Sequence, residues 1–104
     1  MDLTNIEVEI MVVLWNSEDP LTATEIVKAS SNKTWKATSI YIIMNSLLKK
    51  GAVVLSHRKA TTTNVARAYK PAITPTEYTV AKLAALRETG IPFDTDELVA
   101  RLKG

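Results

Sequence analysis

The chain writes Thr-x-x-Glu three times: Thr4-Asn-Ile-Glu7, Thr22-Ala-Thr-Glu25 and Thr74-Pro-Thr-Glu77. In each, the threonine hydroxyl can accept the N–H of the glutamate while the carboxylate reaches back to the threonine N–H, a reciprocal cap that starts a helix. The third box also has proline at the first helical position, where its missing N–H costs nothing. Asp94-Thr-Asp-Glu97 supplies a fourth start. Four local signals of this kind predict a mainly α-helical chain. The first helix, over 4–16, carries Ile6, Ile10, Val13 and Leu14 as one stripe. Val8, Met11, Val12 and Trp15 widen its apolar surface, which predicts burial on more than one side. The second runs through Ala29 or Ser30 with Ile26 and Ala29 inward. The third capped helix, about Pro75 to Thr89, is closed by Gly90 and bears two stripes, Val80/Leu83/Ala84 and Tyr78/Ala81/Ala85. The last carries Leu98, Val99 and Leu102.

Residues 36–51 form a further helix without a capping box. Ile40, Ile43, Met44, Leu47 and Leu48 recur at helical spacing, and Lys49-Lys50-Gly51 ends the run with cations and a glycine at the negative end of the helix dipole. Its other face, Thr38, Tyr41, Ile42, Asn45 and Lys49, holds no acid. Trp35, just ahead, either wedges the helix entrance against the core or stacks on a nucleotide. Ala52–Arg58 and Arg67–Pro71 are β-branched or alternating, and 59–66 is small, polar and basic at its root. The pair predicts a hairpin with a long loop. His57 is the lone histidine and has no neighbour to work with as an acid–base partner.

The net charge of +2 conceals a segregated distribution: residues 1–27 hold six acids and no base, and residues 28–70 hold nine bases and no acid. A basic, acid-free middle is what a phosphate-lined partner requires. With 104 residues and 46% hydrophobic content, the chain can bury one core. No cysteine is present, which excludes disulfides and thiolate metal or redox sites. No metal site or cofactor is expected, and one histidine without a glycine-rich phosphate loop or paired carboxylates leaves little with which to build an enzyme. The apolar run Ile10–Trp15 is too short to span a membrane. A cytoplasmic protein with no membrane partner is expected.

Helix, helix, helix and then a basic hairpin is the order of a winged helix-turn-helix, whose third helix enters the DNA major groove while the wing touches the backbone. Particular residues carry a closer likeness. Leu3-Thr4, Glu7 and Ile10–Trp15 resemble the opening of the penicillinase repressor family, which includes β-lactam-resistance and copper-responsive repressors. Trp35, Ser39-Ile40-Tyr41, Leu47 and Lys49-Lys50-Gly51 are similar to its recognition-helix signature. Arg67-Ala-Tyr69-Lys-Pro71 with Thr74–Tyr78 resembles its junction between wing and dimerisation helix. The chain departs from that pattern with Ile42 in place of Thr and Ser46 in place of Arg, both expected on or beside the groove-facing side. Lacking cysteine, it also lacks the copper-responsive branch's Cys-rich tail.

The resemblance and the residue pattern together imply a mainly α chain with a small β-hairpin. A winged-helix DNA-binding domain over 1–73 would be followed by a helical dimerisation segment over 74–104. The expected function is a transcriptional repressor that binds double-stranded DNA as a homodimer on a pseudo-palindromic operator. Thr38, Tyr41, Ile42 and Asn45 would meet base edges, with Asn suited to adenine and Ile or the Tyr ring to a thymine methyl. Alternatively, Tyr41 and Ile42 complete the core. Lys36, Lys49, Lys50, Arg58, Lys59 and Arg67 would hold phosphates. Tyr78, Ala81, Leu83, Ala85, Leu98 and Leu102 would form the dimer contact, unless the tail folds back on its own monomer. The competing function is a winged-helix interaction module for an acidic protein.

Overall fold

The computed structural model describes residues 1–31, 33–60 and 65–104. Its elements run α1 (Asn5–Trp15), β1 (Leu21–Thr22), α2 (Ala23–Ala29), a 3₁₀ turn (Ala37–Ser39), α3 (Ile40–Lys50), β2 (Val53–Ala60), β3 (Val65–Pro71), α4 (Pro75–Glu88) and α5 (Thr95–Leu102). All three Thr-x-x-Glu boxes close reciprocally, at Thr4, Thr22 and Thr74, and Asp94 caps α5. Gly51 ends α3 with φ +77°, the left-handed geometry that a side chain would strain.

Two local expectations need correction. The segment 36–51 is not one α-helix: with no side-chain cap at its start, it opens as a 3₁₀ turn, with Ser39 N–H donating to Lys36 C=O at 2.9 Å. Thr38 therefore lies on that turn, two residues ahead of α3. The hairpin is also part of a three-stranded antiparallel sheet, ordered β1-β3-β2, in which Leu21 and Thr22 pair with Tyr69 and Ala68. The strands reach further than the sequence pattern does, to Ala60 and from Val65, and the centre of the expected loop (61–64) lies outside the described residues.

The core sits where α1, α2, α3 and the sheet converge. Ile10, Met11, Ile26, Met44, Leu47 and Val53 are fully buried, joined by Leu3, Leu14, Trp35, Ile40, Ala52 and Tyr69. Trp35 thus takes the wedge role. The stripe of α3 points inward as its spacing demands, and the outward alternates of the same helix are left to water.

α4 and α5 stand apart from this core, for neither contains a buried residue. The molecule measures 53 × 26 × 25 Å, with a radius of gyration of 16.1 Å. A compact chain of this length would have about 13 Å. The excess is the two-helix arm.

Candidate nucleic-acid interface

α3 presents the exposed row Tyr41, Ile42, Asn45 and Lys49, continued at its start by Thr38. Tyr41 is 61% and Ile42 75% exposed, so neither completes the core. An isoleucine three-quarters in water, on a helix whose inner stripe is already satisfied, is an apolar contact without a partner inside the monomer. Lys36 is exposed just ahead of the 3₁₀ turn.

Beside α3, the hairpin projects as the wing. Its register slips between Leu55 and Arg58: Leu55 faces Tyr69 and Arg58 faces Arg67, so β2 carries one extra residue. Past that bulge, two exposed arginines stand directly across the ladder from each other. Like charges in that position repel, and an anion placed against them reverses the sign of the interaction. Between the wing, α2 and α3 lies an open cleft of about 770 Å³, lined among others by Thr24, Lys28, Tyr41, Asn45, Arg67 and Tyr69. Burial raises the Tyr69 hydroxyl above its ordinary range despite the nearby Arg67, so the ring faces the cleft as a neutral phenol. Lys28 and Thr24 join the interface only through the fold. They sit on α2, and nothing in their local pattern marks them.

Two of the expected phosphate contacts are already engaged. Lys50 turns back from the interface to Glu7 of α1, with Nζ 2.6 Å from Oε1, and also donates to the Asp2 carbonyl at 2.8 Å. Ser46 donates to the other Glu7 oxygen at 2.7 Å, so it faces α1 and not the groove. Burial alone would push the Glu7 carboxyl up. The bonds from Lys50, the Thr4 N–H and Ser46 outweigh it and hold the group down at about 2. Lys59 is paired too, its Nζ 3.1 Å from both oxygens of Glu25. The Glu25 carboxyl is held below its ordinary value first by the Thr22 N–H and then by Lys59. The absence of acids near Lys50 and Lys59 in sequence is no guide here, because their partners come from α1 and α2. Lys36, Lys49, Arg58 and Arg67 form no ion pair among the described residues.

In the arm, the expected dimer contacts divide. Tyr78 is half-buried against the monomer's own Trp15, ring centroids 5.9 Å apart, and so belongs to the junction of arm and body. Leu83, Leu98 and Leu102 line an open apolar groove of about 560 Å³ between α4 and α5, together with Val80 and Phe93. Ala81 and Ala85 are exposed on α4. Val80 is 59% and Leu102 73% exposed.

Among the described residues no group of three or more His, Asp or Glu is placed to hold a metal ion, and no helix is long and apolar enough to cross a membrane. The ferric uptake regulator Fur of Helicobacter pylori shares the fold: it is 16% identical, the alignment covers 91% of this chain and 74% of that one, and the TM-score is 0.52. That structure is described as having three functional metal-binding sites. A search of curated proteins finds no match. The penicillinase repressor profile matches residues 3–102, nearly the whole chain. With a wing, an outward-facing α3 and this match in hand, the chain belongs to the penicillinase repressor family of winged-helix transcriptional repressors.

Proposed function

We propose that the protein represses transcription by binding double-stranded DNA as a homodimer. Each winged-helix body (1–73) would read one half of a pseudo-palindromic operator, and the arms (74–104) would pair. The observation that carries this reading is the acid-free outward row on α3, with Ile42 and Tyr41 in water beside Asn45 and, to either side, cations that form no ion pair among the described residues. Asn45 is suited to adenine, and Ile42 to a thymine methyl. Lys36, Lys49, Arg58 and Arg67 are the phosphate contacts, with Lys28 added from the cleft wall. The dimer is supported by the uncovered groove of Leu83, Leu98 and Leu102, an apolar face on an arm that the body does not cover.

Selecting bound duplexes from a random pool tests the reading directly. The expected product is an inverted repeat with half-site centres about 10 base pairs apart, or a multiple of that. The exposed Ile42 also suits a surface that docks an acidic protein. Failure to enrich any duplex, together with DNA binding too weak to titrate at low salt, would favour that second reading.

A further inference from the structure

The arm is joined to the body by a junction with little slack. Ala72 N–H donates to the Ala52 carbonyl at 2.8 Å, and the next carbonyl, that of Ile73, accepts from the Trp15 indole Nε1–H at 2.8 Å. Thr74 then caps α4, and Pro75 fixes the first helical φ. One turn on, Tyr78 lays its ring against the same indole at 45°, with the Lys82 ammonium 5.9 Å from the Tyr78 centroid. Beyond Tyr78 no residue of the arm is buried. A single side chain at the end of α1 thus holds the last residue before the arm's cap through its N–H, and the arm's first turn through its ring.

The geometry points to Trp15 as a positioning residue for half-site spacing: by clamping Ile73 and Tyr78 it sets the angle between body and arm, and hence the distance between the two α3 helices of a dimer. This rests on the proposed dimeric DNA reader. The leverage is large because the molecule is 53 Å long. A tilt of about 10° acting over roughly half that length moves α3 by about 5 Å, more than one base-pair step of ~3.4 Å. A rigid junction rejects operators whose halves are one pair too close or too far, and a loose one accepts them.

The test uses the full chain and duplexes carrying the selected half-sites at centre spacings from about 8 to about 13 base pairs. Trp15→Phe keeps an aromatic ring for Tyr78 but removes the N–H. Tyr78→Leu loosens the clamp from the arm side should the first variant lose too much stability. Expected is a sharp spacing optimum in the wild type. In the variants the best spacing should weaken by about 3- to 10-fold while its neighbours weaken less, so the profile flattens. Dimer dissociation, measured by sedimentation, and affinity for a single half-site should stay as in the wild type. A structural role alone would lower binding equally at every spacing. A wild-type profile retained by both variants, or merely scaled down, overturns the inference. Absence of any spacing optimum in the wild type would instead fall on the dimer reading, and this inference would go with it.

Discussion

Replacing Glu7 by Gln tests whether the α1–α3 contact is as the structure draws it. The carboxylate is 4% exposed and accepts from Lys50, Ser46 and the Thr4 N–H. Its pKa falls from the ordinary 4.5 to about 2. At ~1.4 kcal/mol per pH unit, a shift of that size corresponds to at most about 3 kcal/mol of folding stability at neutral pH. Lys50 is one-third exposed and can return to water, and the glutamine keeps the shape and part of the hydrogen bonding. We therefore expect a loss of about 2 kcal/mol, which lowers the Tm of a domain this size on the order of 10 °C.

The sign with pH is fixed by the direction of the shift. A carboxyl whose folded pKa is depressed contributes fully above its unfolded value, and the contribution fades as pH falls from about 5 towards 2. Urea denaturation of wild type and Glu7→Gln at pH 7, 4 and 2.5 should show a gap that narrows with acid. Glu25 shifts in the same direction but is present in both proteins, so the difference isolates Glu7. A gap that stays constant down to pH 2.5, or a variant as stable as wild type at neutrality, would refute the reasoning.

With Lys50 and Lys59 engaged within the monomer, four cations per protomer remain from the expected phosphate set. Lys28 from the cleft wall makes five, so log affinity against log salt should have a slope of about −9 for the dimer, against about −13 if Lys50 and Lys59 also take part. By the same logic Lys49→Ala should lower that slope by about one per protomer, while Lys50→Ala costs stability and leaves it nearly unchanged. Asn45→Ala should cost about 1–3 kcal/mol per half-site and relax the preference at one base pair; equal loss on random duplexes would deny α3 its reading role. Val80→Glu with Leu102→Glu places charge where the monomer exposes its side chains, so helicity should persist. Because each change occurs twice in a symmetric dimer, sedimentation should show dimer association weakened by about 100-fold or more.

What the sequence discloses of the fold is what depends on neighbours three or four residues apart. The capping boxes at Thr4, Thr22 and Thr74 close as written, because both partners of each bond lie within one turn. The inner stripe of α3 is legible for the same reason. β1 is not: Leu21-Thr22 is only two residues long, lies directly against the second capping box, and is a strand only because Tyr69 and Ala68 arrive beside it. The 3₁₀ opening at Ala37–Ser39 is hidden in a segment with the composition of a helix start but no side chain to cap it.

The site is legible to the same depth and fails at the same point. Which face of α3 looks outward follows from period alone, and Ile42 and Tyr41 stand where the spacing puts them. Which cations are free does not, because neutralisation is a contact between elements. Glu7 and Lys50 are 43 residues apart, Glu25 and Lys59 are 34 apart, and both acids come from the segment that the sequence sets apart from the basic middle. The segregation visible in the sequence is therefore partly undone by folding, and in a directed way. Glu7 and Glu25 already serve in capping boxes, and each also pairs with a lysine from the basic middle. Lys50 ties the end of α3 to α1, and Lys59 ties the wing beyond its bulge to α2. The cations kept for a partner are those on the outer row of α3 and on the arginine ladder, while the paired ones hold those two surfaces in place. A search for acids near each lysine in sequence would rank Lys50 and Lys59 with the rest, and only the packing of the helices separates the groups that bind from the groups that brace.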